Sequence, residues 1–115
     1  MKKIYHLGTC STCIRILKSL NLEGVVLQDI KTEQISEAEL DHMAKLSGTY
    51  ESLFSRRAQK YKLLGLGDKN LTESDMKKYI LQEYTFLKRP VGIVGDEIFI
   101  GNTKLTVELL GKALG

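Results

Sequence analysis

The sequence has a single proline, no tryptophan, two cysteines and a net charge of only +3 across 115 residues. One cysteine pair is too few for the disulfide scaffold of a small secreted protein, and a chain of this length buries a core without such crosslinks. No apolar run approaches the roughly 20 residues of a membrane-spanning helix. The small, dispersed charge favours no nucleic-acid partner. These absences predict a cytoplasmic protein with no membrane partner and no direct nucleic-acid contact.

Both cysteines lie in the stretch GTCSTCIR, as Cys10 and Cys13. Two lysines follow the first methionine, but polar residues soon interrupt the apolar stretch behind them, so we expect no secretory signal. In a reducing compartment a Cys-x-x-Cys pair is more often catalytic or metal-binding than a permanent crosslink. A zinc site would need further ligands, and the only other soft ones are His6 and His42. A third reading is a packed pair without chemistry.

The first half of the chain has the pattern of a strand, a helix and a second strand. KKIYHLG predicts a short strand that stops at Gly8, and the spacing of Ile16, Leu17 and Leu20 predicts a helix that ends near Asn21. GVVLQDI then predicts a second, buried strand. A strand-helix-strand unit makes a right-handed crossover, so the two strands should be parallel neighbours in one sheet.

The middle of the chain is predicted to be helical. Ser36 with Glu39, and Thr72 with Asp75, have the spacing of capping boxes that open two helices. Between them, a short helix is expected to run through Arg57 and Tyr61 and to stop at Gly65 or Gly67. We interpret residues of about 35–86 as a helical insertion.

The last part of the chain predicts a β-hairpin and a helix. PVGIVGDEIFIG has two apolar runs about a Gly-Asp turn, and Asn102 or Thr103 is expected to cap the final helix. Pro90 precedes the hairpin, where a cis bond would present its backbone to the thiols. The order predicts an α/β, thioredoxin-like fold, with a mixed sheet built from β-α-β and β-β-α halves and a helical insertion between them. We expect residues 1–115 to form a single domain.

The position of the thiols between strand and helix favours redox or nucleophilic chemistry. At a helix N-terminus the pKa of a thiol falls to about 3.5 to 7.5, because free N–H groups and the helix dipole stabilise the thiolate. Cys13 lies within the first turn and could resolve an adduct on Cys10 as a disulfide. Around them, small residues let backbone N–H groups approach an oxyanion; these are Gly8, Thr9, Ser11 and Thr12.

Three stretches together resemble the arsenate reductase family of glutaredoxin-like proteins, which includes the Spx transcription regulators. They are YHLGTCSTC, LFSRRAQKYKLLGL and FLKRPVGIVGDEIFIG. The resemblance implies an enzyme in which Cys10 is the nucleophile and Arg89, before Pro90, holds the oxyanion. It also implies an arginine in the central stretch, where Arg56 and Arg57 compete and we favour Arg57. Electrons would come from glutathione with glutaredoxin, or from thioredoxin, with no bound cofactor or metal.

The sequence also departs from the family's reductases. Gly101 stands where they carry a third arginine, and Ile14 where many relatives have arginine. Each charge-assisted hydrogen bond is worth about 1.5 to 3 kcal/mol, so an arsenate dianion would be held less strongly. Cys13 stands where reductases often have serine and Spx proteins have cysteine. The alternatives are therefore an Spx-like redox switch that binds RNA polymerase, or a protein that only binds a small thiol or anion.

Overall fold

The computed structural model describes residues 1–115. Internal contacts divide the chain into two units, the first formed by Met1–Gln34 with Arg89–Gly115 and the second by Ile35–Lys88. The second unit has nearly the span expected of the helical insertion. That the two units form one domain stays a prediction. No helix is long and apolar enough to cross a membrane.

A four-stranded mixed sheet forms the centre of the first unit. Its strands are β1 (Lys2–His6), β2 (Val25–Asp29), β3 (Val91–Val94) and β4 (Glu97–Ile100), in the order β2-β1-β3-β4. β1 and β2 are parallel, as the crossover predicted, and the other two pairs are antiparallel. Helix α1 (Ser11–Ser19) connects β1 to β2, and α5 (Lys104–Leu114) follows β4. The predicted fold class is confirmed.

Helix α5 packs closely on the sheet at β3. Leu110 and Leu114 lie with Ile4 of β1 in a buried cluster. A Cβ atom on Gly92 would lie 2.7 Å from Leu110, so only glycine lets the helix approach β3 at this point. Tight packing here fixes the strand that begins directly after Pro90. Partly buried residues complete the cluster: Leu17, Leu20, Leu22, Val25, Val94 and Phe99.

The prediction that β2 is a buried strand was wrong. Val26 and Leu27 are 55% and 43% exposed, while Gln28 is buried. β2 is an edge strand with β1 as its one neighbour, so an apolar sequence does not ensure burial there. An apolar run predicts a strand but not its place in the sheet.

The second unit contains three helices, α2 (Glu37–Ser47), α3 (Gln59–Leu63) and α4 (Glu73–Gln82), with three short 3-10 turns. Both predicted capping boxes are present, from Ser36 and Glu39 at α2 and from Thr72 and Asp75 at α4. Stacked rings of Phe54 and Phe86, with centroids 5.2 Å apart, lie in this unit's core.

The predicted short helix is present and contains Tyr61, but the prediction that it includes Arg57 was wrong. Arg56 and Arg57 form a turn, and α3 begins only at Gln59. The helix is five residues long and ends before Gly65, whose φ of +65° is a conformation that suits glycine. The two arginines therefore project from a turn and not from successive positions of a helix.

Candidate active site

A tight turn carries the chain from β1 to Cys10. The N–H of Cys10 donates to the Leu7 carbonyl at 3.0 Å, so Gly8 and Thr9 are the central residues of this turn. Cys10 is the N-cap residue of α1, with extended backbone angles, and its carbonyl accepts the N–H of Ile14 at 3.0 Å. The geometry places the Cys10 sulfur at the N-terminus of α1, as the sequence predicted.

The surroundings of Cys10 favour its thiolate. Partial burial alone would raise the pKa of Cys10, but the N–H groups of Cys13 and Thr12, the Cys13 thiol and the Arg89 guanidinium outweigh it and lower that pKa. No side-chain hydrogen bond caps α1, and its first turn contains no acidic residue. The N–H groups there remain available to a negative charge.

The pKa of Cys13 is shifted in the opposite direction. Cys13 is fully buried, and burial raises the pKa of its thiol to about 11 even though the Leu7 backbone opposes the shift. The negative charge of Cys10 raises the Cys13 pKa further. The pair therefore has one thiol with a lowered pKa and one with a raised pKa, and both are free cysteines here.

Arg89, which precedes Pro90, acts on both thiols through its charge. The charge of Arg89 lowers the pKa of both Cys10 and Cys13, and the peptide bond to Pro90 is cis, as expected. The Pro90 carbonyl accepts the N–H of Gly101 at 2.9 Å. Gly101 has a φ of +94°, a backbone conformation that strongly favours glycine.

The first unit thus brings together most of the predicted site residues. Thr9 and Ser11 are exposed, Thr12 is half-buried, and all three lie in the turn or in the first turn of α1. Their small side chains leave the backbone N–H groups of the helix start accessible. The site residues that this unit holds are Thr9, Cys10, Ser11, Thr12, Cys13, Arg89 and Pro90.

Arg57 belongs to the second unit. Its side chain is exposed and lines an open depression of about 450 Å³ together with Arg56, Lys62 and Leu63. Arg56 donates to the Glu51 carboxylate at 3.1 Å, which gives Arg56 an exposed structural pairing. Of the two competing arginines, Arg57 is the one without a carboxylate partner.

One residue at the thiol loop was missed by the sequence analysis. Asp29, the last residue of β2, pairs in register with His6, and its carboxylate accepts the backbone N–H groups of Lys31 and Gly8. These bonds, that of Lys31 first, lower the pKa of Asp29. A polar residue at the carboxyl end of a strand parallel to β1 was the available signal, because such ends meet at one sheet edge.

The chain contains no group of three or more histidine, cysteine or acidic side chains placed to hold a metal ion. His6 ends β1 and His42 lies on α2, in the other unit.

Comparisons with known proteins agree with this fold. The model of the ArsC family matches residues 5–108. An arsenate reductase from Haemophilus influenzae is 29% identical over 108 residues, which cover 90% of this chain and 93% of that protein. The solved arsenate reductase from Vibrio cholerae has a TM-score of 0.75 at 22% identity, covering 98% of this chain and 97% of that one. An arsenate reductase related protein from Brucella melitensis has a TM-score of 0.73 at 22% identity, covering 94% and 92%.

Proposed function

The chain belongs to the ArsC family, whose membership supports a thiol oxidoreductase role, and we propose that it is a cytoplasmic reductase that uses Cys10 as its nucleophile. The substrate would be an oxyanion of the arsenate type or a disulfide. The observation that carries the proposal is the opposite shift of the two thiol pKa values at the start of α1. Cys10 is the thiol better suited to attack, because the thiolate is the nucleophile and only the pKa of Cys10 is lowered.

With arsenate, the first step forms a bond between the Cys10 sulfur and arsenic, and one arsenate oxygen leaves as water after taking up protons. In the second step Cys13 attacks the Cys10 sulfur and the S–S bond forms. The sulfur–arsenic bond breaks, and its electron pair stays on arsenic, which leaves as arsenite. Two thiols are thereby oxidised to one disulfide while arsenic gains two electrons.

The raised pKa of Cys13 fits the order of these steps. While Cys10 carries its negative charge, that charge raises the Cys13 pKa. An adduct on Cys10 removes the thiolate charge from that sulfur, so this contribution to the raised pKa of Cys13 is lost. Burial keeps Cys13 from competing before then.

The cationic groups have separate proposed roles. Arg89 would hold oxygens of the substrate beside the thiolate, since a guanidinium binds two oxygens in a planar fork. The substrate would contact the backbone of four further residues: Thr9, Ser11, Thr12 and Pro90. Arg57, the exposed arginine in the turn before α3, would add a second positive charge.

We propose that the disulfide is reduced by glutathione with glutaredoxin or by thioredoxin, with no bound cofactor. Either route supplies the two electrons that the disulfide accepts.

A second candidate function is an Spx-like redox switch that binds RNA polymerase. The observation that favours it is Cys13 itself, because a buried resolving cysteine would serve a regulator as well as a reductase. In this role the Cys10–Cys13 disulfide is a signal and not a catalytic intermediate.

Arsenate turnover, coupled to purified thioredoxin or to glutathione with glutaredoxin, tests the proposal. We expect turnover in the wild type, its loss in Cys10→Ser, and a large decrease in Cys13→Ser and Arg89→Ala, because these remove the nucleophile, the resolving thiol and the anion-binding cation. Arg56→Ala is the matched control, since Arg56 is paired with Glu51 and should leave turnover unchanged.

If the wild type shows no turnover of arsenate or of a disulfide substrate with either donor system, the reductase proposal fails. Redox-dependent binding of the same protein to purified RNA polymerase would then support the switch.

A further inference from the structure

We propose that Asp29 is a positioning residue for the Cys10 thiolate, because its carboxylate holds Gly8 in the turn that delivers Cys10 to the start of α1. The inference rests on the proposed function only in taking Cys10 as the nucleophile. Asp29 does not contact the reacting atoms in this account. It acts through the backbone of the turn.

The sheet places Asp29 beside this turn. In the parallel pairing of β1 with β2, Asp29 is opposite His6, the last residue of β1, and the two strands end together. The turn of residues 7–10 follows directly from β1. A side chain at the end of β2 is therefore at the level of Gly8.

Hydrogen bonds hold the Asp29 carboxylate and direct it to the turn. Its Oδ1 accepts the N–H of Lys31 at 3.0 Å, and the carboxylate also accepts the N–H of Gly8. The Asp29 carbonyl accepts the N–H of Glu33 at 2.8 Å, and Ile30 donates to the carbonyl of His6 at 2.9 Å. The anchored carboxylate is thus a fixed acceptor for Gly8.

The same contact explains why residue 8 is glycine. A Cβ atom on Gly8 would overlap Asp29 Oδ2 and would lie 3.4 Å from Asp29 Cγ. Gly8 is not in the left-handed region, so its backbone conformation would tolerate other residues. The carboxylate occupies the space that a side chain would need, and Gly8 and Asp29 therefore form a matched pair.

The turn transmits this restraint to the thiol. Gly8 is the second residue of the turn that the Cys10 N–H closes on the Leu7 carbonyl. The position of Cys10 relative to the N–H groups of Thr12 and Cys13 depends on that turn, and these groups favour the thiolate. A loosened turn should therefore weaken ionisation of Cys10 without changing the residues that contact its sulfur.

The test is the rate of iodoacetamide alkylation of Cys10 as a function of pH, in variants that also carry Cys13→Ser so that one thiol reacts. At pH 6 we expect Asp29→Ala to lower the rate about three- to tenfold, since one unit of thiol pKa changes the thiolate fraction about tenfold. Asp29→Asn keeps the shape and one acceptor oxygen, so its rate should be intermediate. Asp96→Ala, an exposed acidic residue of the hairpin turn, is the matched control and should match the parent protein.

A double-mutant cycle separates positioning from general destabilisation. Gly8→Ala should lower the alkylation rate when Asp29 is present. It should have little further effect in the Asp29→Ala variant, because the overlapping carboxylate is then gone. Unfolding midpoints of all variants show whether each is folded at the assay temperature.

An unchanged pH profile in Asp29→Ala, or additive effects in the cycle, would overturn the inference. Alkylation needs no arsenate and no electron donor. If the wild type does not turn over arsenate but Asp29→Ala still slows alkylation, only the proposed function is contradicted. If the wild type turns over arsenate but Asp29→Ala does not slow alkylation, only the positioning role is contradicted.

Discussion

Helix α1 of the first unit begins differently from helices α2 and α4 of the second unit. In the second unit, α2 and α4 each start with a complete capping box, in which Ser36 or Thr72 accepts an N–H and an acidic side chain returns to the cap residue. In the first unit, α1 starts with Cys10 and has neither a side-chain cap nor an acidic residue in its first turn. The capped helices satisfy their own N–H groups, whereas α1 keeps them for an external or ionised group.

This difference teaches how a site is kept open in a small protein. A capping box contributes stability and closes the helix end to ligands. The start of α1 lacks this stabilising contribution, and its N–H groups favour the thiolate of Cys10 instead. A residue at position 10 that caps α1 in the ordinary way should therefore stabilise the fold and abolish the thiol reactivity of this position.

The largest expected effect comes from Cys10→Ser. Its hydroxyl should cap α1, so unfolding experiments should show a gain of about 0.5–1 kcal/mol, while reactivity toward iodoacetamide at this position disappears. The gain should depend on pH. The folded-state pKa of Cys10 is lowered, so the ionised thiol stabilises the native state at high pH, and this contribution is lost as the pH falls through the folded pKa.

The advantage of serine should therefore be greatest below the folded pKa of Cys10 and should shrink above it. Denaturant unfolding at several pH values measures this. A gain that does not vary with pH would contradict the idea that the N-terminus of α1 stabilises the thiolate.

A smaller effect is expected from Arg89→Ala, which removes a cation but leaves the N–H groups in place. The pKa of Cys10 should rise, and its alkylation rate at pH 6 should fall about three- to tenfold, because the fraction of thiolate decreases. Cys13 should stay unmodified near pH 7 in both proteins, since it is buried and its pKa is about 11. Mass spectrometry after alkylation assigns the modified thiol; rapid labelling of Cys13 in the folded wild type would contradict the assignment of roles.

The smallest expected effect on the site comes from removing the other caps. Ser36→Ala and Thr72→Ala should each lower the free energy of unfolding by about 1 kcal/mol, because one N–H of α2 or α4 loses its acceptor. Neither should change the pH profile of Cys10 alkylation. A shift of that profile would mean that the two kinds of helix start are not independent. Ser74→Ala, within α4 and outside its cap, is the matched control.

Much of the fold could be predicted because its signals are local. A capping box needs only residues three apart, so both were found from the sequence, and the Gly-Asp turn between two apolar runs located the hairpin of β3 and β4. The signals that placed the thiols at the start of α1 were equally local, since a strand and a glycine precede the thiols and a helical period follows them.

Features that depend on neighbours distant in sequence were not predicted. β2 has the composition of a buried strand, but its exposure follows from lying at the edge of the sheet. Arg57 was expected within the short helix, yet the chain turns there and α3 starts two residues later. The role proposed for Asp29 depends on the register of β2 with β1, which sets Asp29 opposite His6. The sequence predicted that the two strands are parallel neighbours but not this register.

The sequence by itself determined the elements of this protein, the position of Cys10 and Cys13 at a helix start, and the membership in a family of thiol chemistry. Only the tertiary structure decided how the two thiols differ. Burial raises the pKa of Cys13. The N–H groups of α1 lower the pKa of Cys10, and so does Arg89, which is distant in sequence. Charge and burial act through space, so two cysteines three positions apart acquire opposite character only when the chain has folded.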